Sequence, residues 1–235
     1  MKELYNFFNA GLVRYLFGYY FESDGYAGYA ISPIYMIPAF ILIFMIAYLL
    51  GSINFATFIS NKKYKDDIRE HGSGNAGMTN MMRTYGTKAA ALTLLGDFLK
   101  TVVAVLFGYV IGGITGAYIA GLGAVVGHTW PLYYKFKGGK GVVTAITTIL
   151  CTNLPVGLFL LLIFVAIVAM TKYISLGSIM GALMYPVILS SFAKVGLIET
   201  ICCFGIVILI VFNHRANIKR LYNGNENKFS FKKSK

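Results

Sequence analysis

The chain has 235 residues, of which 57% are hydrophobic and only 13% charged, against about 25% charged in a typical soluble domain. That balance excludes a water-soluble globule, a disordered chain and a small disulfide-stapled scaffold. Lys and Arg outnumber Asp and Glu by 21 to 9, for a formal net charge of +12, which suits anionic partners where the cations gather on one side.

Residues 1–32 read as an N-terminal extension. The aromatic-rich stretch from Leu4 to Tyr20 suits either an interfacial helix among lipid headgroups or an additional span, and it lacks the apolar core and cleavage site of a signal peptide. Beyond it the uncharged runs predict helices over 34–60, 87–111, 114–131, 140–152, 155–171, 174–193 and 196–217. Each span needs about 20 mostly apolar residues, and the runs lack the alternation of a membrane barrel. Gly112-Gly113 divides one overlong run. Asn153-Leu154-Pro155 divides another, because proline disfavours helix at the residue before it. The fourth segment is short for a full crossing. The expected class is therefore all-α, a polytopic integral membrane protein of about seven transmembrane helices with active-site loops on the cytoplasmic side. Residues 33–220 form one membrane-embedded domain and 221–235 a basic tail.

The positive-inside rule orients this arrangement. Lys62, Lys63, Lys65, Arg69, Arg83 and Lys88 fall between the first two helices, Lys135, Lys137 and Lys140 between the third and fourth, and Lys172 between the fifth and sixth. Arg215, Lys219, Arg220, Lys228, Lys232, Lys233 and Lys235 fill the tail. The opposite loops carry only Lys194. The location predicted is a bacterial inner (cytoplasmic) membrane, with the amino terminus outside and the carboxyl terminus in the cytoplasm.

Three polar clusters lie on that basic face. In the first, Gly72, Ser73, Gly74, Asn75, Gly77, Thr79 and Asn80 precede Arg83. Closely spaced glycines let backbone N–H groups converge on an anion, particularly at a helix N-terminus. Met78 stands where a nucleotide P-loop needs lysine, so a flexible polar loop is the competing reading. The second cluster, Gly138-Gly139-Lys140-Gly141, places a point charge between glycines. The third is His214-Arg215-Ala216-Asn217, where His214 can titrate or donate, and a cation can also cap a helix C-terminus. Asp97 and Lys100, three residues apart in an apolar helix, suit mutual neutralisation. His128 suits orientation of the loop beside Lys140, and Glu199 a wetted boundary. The odd set Cys151, Cys202 and Cys203 matches no zinc spacing, so neither metal nor cofactor is expected. No His is followed five residues later by Asp, the positions being Ala76, Tyr133 and Lys219, which excludes a His-x4-Asp acyltransferase mechanism.

In this order the clusters resemble the bacterial acyl-phosphate:glycerol-3-phosphate acyltransferases, the PlsY-type family. The resemblance runs from about Ala47 to Lys228. It takes in Gly51-Ser52-Ile53, Gly72-Ser73-Gly74-Asn75, Thr79-Asn80, Arg83-Thr84-Tyr85-Gly86, Gly96-Asp97 with Lys100, and Gly127-His128 with Pro131. Phe136 to Gly141, Tyr173 with Ser175-Leu176, His214-Arg215 with Asn217-Ile218, and Arg220-Leu221 with Gly224 and Glu226 complete it. Asn54 replaces the family's usual proline, and Ala76 and Met78 alter the glycine loop. The resemblance implies transfer of a fatty acyl chain from acyl phosphate to the 1-hydroxyl of glycerol 3-phosphate, giving lysophosphatidic acid and phosphate. Ser73, Arg83, Lys140, His214 and Asn217 would be catalytic. Gly72, Gly74, Asn75, Gly77, Thr79, Asn80, Gly138, Gly139, Gly141, Ser175 and Ser178 would bind substrate, and Asp97, Lys100, His128 and Glu226 would be structural. The implied partners are the two substrates and the lipid bilayer, with no nucleic acid. The alternative class is a transporter of a phosphorylated organic anion, which predicts repeats and polar residues near the midplane.

Overall fold

The computed structural model describes residues 11–14, 16–23, 26–30 and 33–229. The first ten residues of the expected extension, and the tail lysines Lys232, Lys233 and Lys235, lie outside them. Within the extension, residues 11–14 and 16–17 are helical. Strands β1 (Tyr19–Ser23) and β2 (Tyr26–Ala30) then pair antiparallel, Tyr19 opposite Ala30.

The remainder is helical: α1 (Pro33–Gly51), α2 (Phe55–Ile59), α3 (Met78–Tyr85), α4 (Thr87–Thr129), α5 (Val142–Thr152), α6 (Leu154–Thr171), α7 (Ile174–Phe192), α8 (Leu197–Asn213) and α9 (Arg215–Tyr222). By length and hydropathy four helical stretches among the described residues can cross a membrane, or five with the bent pair α8–α9. One of the four doubles back. Gly113, at φ 65° and ψ −155°, breaks α4 in a conformation that glycine alone adopts readily. A Cβ on Gly108 would lie 2.5 Å from that of Ala120, residues about 18 Å apart in a straight helix. The two limbs therefore run antiparallel, as the glycine pair predicts.

Two expectations are corrected. The first helix does not run to residue 60. Asn54, fully buried, turns the chain and caps α2, accepting from the backbone N–H of Thr57 at 2.9 Å and donating to the Ala76 carbonyl at 3.2 Å. The uncharged stretch hides this break because hydropathy does not register a cap. Glu199 is not wetted either: it is buried and accepts a hydrogen bond from the Thr115 hydroxyl. Helix α5 has 11 residues, about 16 Å of rise, and cannot cross a core about 30 Å thick. The main core gathers Ile43 and Ala47 of α1, Tyr118 and Ala124 of α4, Ile149, Leu160, Tyr185 and Cys203.

Candidate active site

The glycine loop before α3 is held open by one side chain. Asn80, buried in α3, accepts from the Ser73 backbone N–H at 3.0 Å and donates to the carbonyls of Ile68 and His71 at 3.1 and 2.9 Å. Both ends of its amide are occupied, so it shapes the loop. Helix α3 begins at Met78, and its first amides, at Met78 and Thr79, have no helical acceptor.

The second loop packs against the first. The N–H groups of Gly138 and Gly139 donate to the carbonyls of Thr129 and His128 at 3.1 and 3.0 Å. A Cβ on Gly139 would stand 2.7 Å from the Ala76 carbonyl oxygen. These two glycines, expected to bind phosphate, instead let the loops approach each other, and their amides are occupied. Arg69 adds a tie, donating to the Tyr134 carbonyl at 2.9 Å while paired with Asp67 at 2.6 Å. Gly141, at φ 80°, turns the chain into α5.

A single cavity of about 390 Å³ joins these loops to the apolar helices, and Ser73, Arg83, Lys140, His214 and Asn217 all line it. So do Asn75, Gly77, Thr79, Asn80, Gly141, Ser175 and Ser178, whereas Gly72, Gly74, Gly138 and Gly139 do not. Met78 and Thr79, at the start of α3, therefore border the same space as Arg83, which has no hydrogen-bond or ion-pair partner among the described residues.

Around the same cavity, Glu226 of the tail gathers a connected network. Lys140 donates to the side-chain oxygen of Asn217. Asn217 donates to Glu226 at 2.7 Å, as does Ser175 at 2.9 Å, and Arg220 binds the other carboxylate oxygen at 2.8 Å. Burial lowers the Lys140 ammonium to about 8, reinforced by Arg220 and Arg83 and opposed by Glu226. Nδ1 of His214 lies 2.7 Å from the Ile210 carbonyl, which can only accept. The proton is thus on Nδ1, and Nε2 is the ring's acceptor. Arg220 lines the cavity; the resemblance takes it in as Arg220-Leu221 without a role in the site, and its spacing from Glu226 in a polar tail is the signal for one.

Glu226→Ala removes the acceptor shared by three donors. The expected result is a rise of roughly ten-fold or more in KM for a phosphorylated substrate, since each hydrogen bond to a charged group is worth about 1.5–3 kcal/mol. Steady-state kinetics at fixed donor concentration check it.

Behind the site, Lys100 donates to the Ile53 carbonyl at 2.7 Å, pairs with Asp97 at 2.7 Å and lies 3.1 Å from His128 Nδ1. Asp97, Lys100 and His128 are 1%, 6% and 4% exposed. This triad ties the end of α1 to both limbs of α4. Among the described residues no cluster of three or more His, Cys, Asp or Glu could hold a metal ion.

A family model described as glycerol-3-phosphate acyltransferase matches residues 41–224. A glycerol-3-phosphate acyltransferase of Thermoanaerobacter pseudethanolicus is 43% identical over 194 residues, covering 82% of this chain and 96% of the relative. One of Clostridioides difficile is 42% identical over 202 residues, covering 83% and 98%. Among solved structures, PlsY, an integral membrane glycerol 3-phosphate acyltransferase in its glycerol 3-phosphate form, superimposes with a TM-score of 0.77 at 36% identity, covering 82% of this chain and 96% of that one. Its lysophosphatidic acid form gives a TM-score of 0.74 at 35% identity with the same coverage.

Proposed function

The chain belongs to the glycerol-3-phosphate acyltransferase family, and we propose that it takes its acyl group from an acyl phosphate. In this reaction the 1-hydroxyl of glycerol 3-phosphate attacks the acyl carbonyl, the C–O bond to the phosphoryl group breaks, and lysophosphatidic acid and inorganic phosphate leave. An acyl phosphate is a mixed anhydride, so no enzyme nucleophile is needed. None of the three cysteines lines the cavity.

The observation that carries this reading is the cationic wall. Arg83, Lys140 and Arg220 converge on one cavity, where two phosphate groups held together need several cations in partly dry surroundings. Both carboxylates there, Asp97 and Glu226, already hold cations, so neither serves as a base. The unpaired Arg83 fork and the α3 amides suit the donor's phosphoryl group and the charge developing on the carbonyl oxygen. Lys140 and Asn217 suit the phosphate of glycerol 3-phosphate, and Ser73 lines the same cavity. The hydroxyl proton goes to His214 Nε2 or to the departing phosphate. Catalysis then consists of positioning and charge stabilisation. The gathered cations also support a cytoplasmic-side active site in a bacterial inner membrane, with the amino terminus outside.

Purified protein given palmitoyl phosphate and labelled glycerol 3-phosphate is expected to release one phosphate per labelled lysophosphatidic acid formed. Accumulation of unconverted glycerol 3-phosphate inside vesicles would instead support the transporter reading.

The Lys140 charge gives a pH dependence. Its ammonium lies below the ordinary lysine value, so the charge is present below about pH 8 and lost above it. A phosphate monoester, with its second pKa near 6, does not titrate in that window. KM for glycerol 3-phosphate is therefore expected to rise several-fold between pH 7 and pH 9, and Lys140→Arg to remove the rise. A flat profile in the wild type would count against Lys140 as the phosphate ligand.

A further inference from the structure

The polar groups occupy only one end of the cavity. Below them it continues between α5, α6, α7 and α8, walled by Ile149, Leu160, Phe164 and Ile206. Helix α7 shapes this lower part. Ser178, Gly181, Ala182 and Tyr185 follow one another at three-, one- and three-residue steps along one face, and all line the cavity. At Gly181 an added Cβ would meet nothing within 4 Å. Tyr185 is the last residue of α7 to line the cavity: this ring is 1% exposed and packed in the core with Tyr118, Ile149 and Leu160. Ser175 holds Glu226 at the headgroup end, and from there to Tyr185 the helix rises about 15 Å. That is half of a hydrocarbon core about 30 Å thick, the depth that one fatty acyl tail fills in a leaflet.

We propose that α7 measures the acyl chain of the donor, with Tyr185 as the floor that stops it and Gly181 as the gap through which it passes. The inference rests on the acyl-transfer reading above. A chain too short for the channel leaves apolar wall unfilled and forfeits the packing contacts that the missing methylenes would make. A chain too long must displace a ring fixed in close-packed surroundings. The preferred donor is therefore a chain of ordinary membrane length, set by two residues remote from the reacting carbonyl.

The test compares kcat/KM for decanoyl, palmitoyl and docosanoyl phosphate in wild type, Gly181→Leu and Tyr185→Ala. Wild type is expected to favour palmitoyl phosphate. Gly181→Leu plugs the channel partway and should lower palmitoyl relative to decanoyl turnover roughly ten-fold or more, with KM for glycerol 3-phosphate unchanged. Tyr185→Ala deepens the channel and should raise docosanoyl relative to palmitoyl turnover several-fold. Should Tyr185→Ala fail to fold, Gly181→Leu decides alone, because its Cβ has open space. Wild-type ratios in a folded variant, or loss of every donor in Gly181→Leu, would overturn the inference: in the first case the chain leaves sideways into lipid. Wild type that turns over no acyl phosphate would overturn the acyl-transfer reading itself.

Discussion

Arg83→Ala is expected to lower kcat/KM about a hundred-fold or more while leaving the thermal transition at its wild-type temperature. Arg83 stands in the last turn of α3, lines the cavity and has no partner among the described residues, so its removal breaks nothing within the fold. Losing one charge-assisted contact to phosphate costs about 1.5–3 kcal/mol of binding. Loss of a group aimed at charge that develops during the reaction costs about 10²–10³ in rate. A fall in kcat as large as that in kcat/KM would place Arg83 on the transition state, and a rise in KM alone would place it on ground-state binding. Arg83→Lys should recover only part of the loss, because an ammonium cannot reproduce a bidentate fork. Wild-type turnover in Arg83→Ala would remove this residue from the mechanism.

Asp97→Asn is expected to cost about 3–5 kcal/mol of stability, because it leaves Lys100 charged and buried without its counterion. The same change should loosen the site indirectly. Lys100 holds the Ile53 carbonyl where the chain turns from α1 into α2, and it touches His128, whose ring packs against Gly139. The double variant Asp97→Asn with Lys100→Met tests the cause: it removes the stranded charge and should be more stable than the single variant. Thermal unfolding in one detergent measures both. If the single variant melts with the wild type, the pair is not holding the helices together.

The double-back at Gly113 was legible because a glycine pair in an overlong apolar run leaves few other places to turn. The end of α1 was not. Ser52, Ile53 and Asn54 carry no charge, and what stops the helix is tertiary: Lys100 on the Ile53 carbonyl and Asn54 reaching the Ala76 carbonyl. The two glycine loops on one face were readable as composition, but the division of labour between them was not. Gly138 and Gly139 use their amides on Thr129 and His128, a fact of packing that spacing does not encode. The Ser175–Glu226 contact joins residues 51 apart in sequence. The apolar end of the cavity was the least visible part, since Ile149, Leu160 and Ile206 look like any lipid-facing side chain until the helices around them are placed.

The account depends most on a donor that brings its own phosphate to the cationic wall. The direct measurement is a donor comparison on one preparation, with palmitoyl phosphate, palmitoyl-CoA and palmitoyl-acyl carrier protein each supplied with glycerol 3-phosphate. The predicted result is lysophosphatidic acid from palmitoyl phosphate alone, with one phosphate released per product. Product formed from the thioesters but not from palmitoyl phosphate would contradict it.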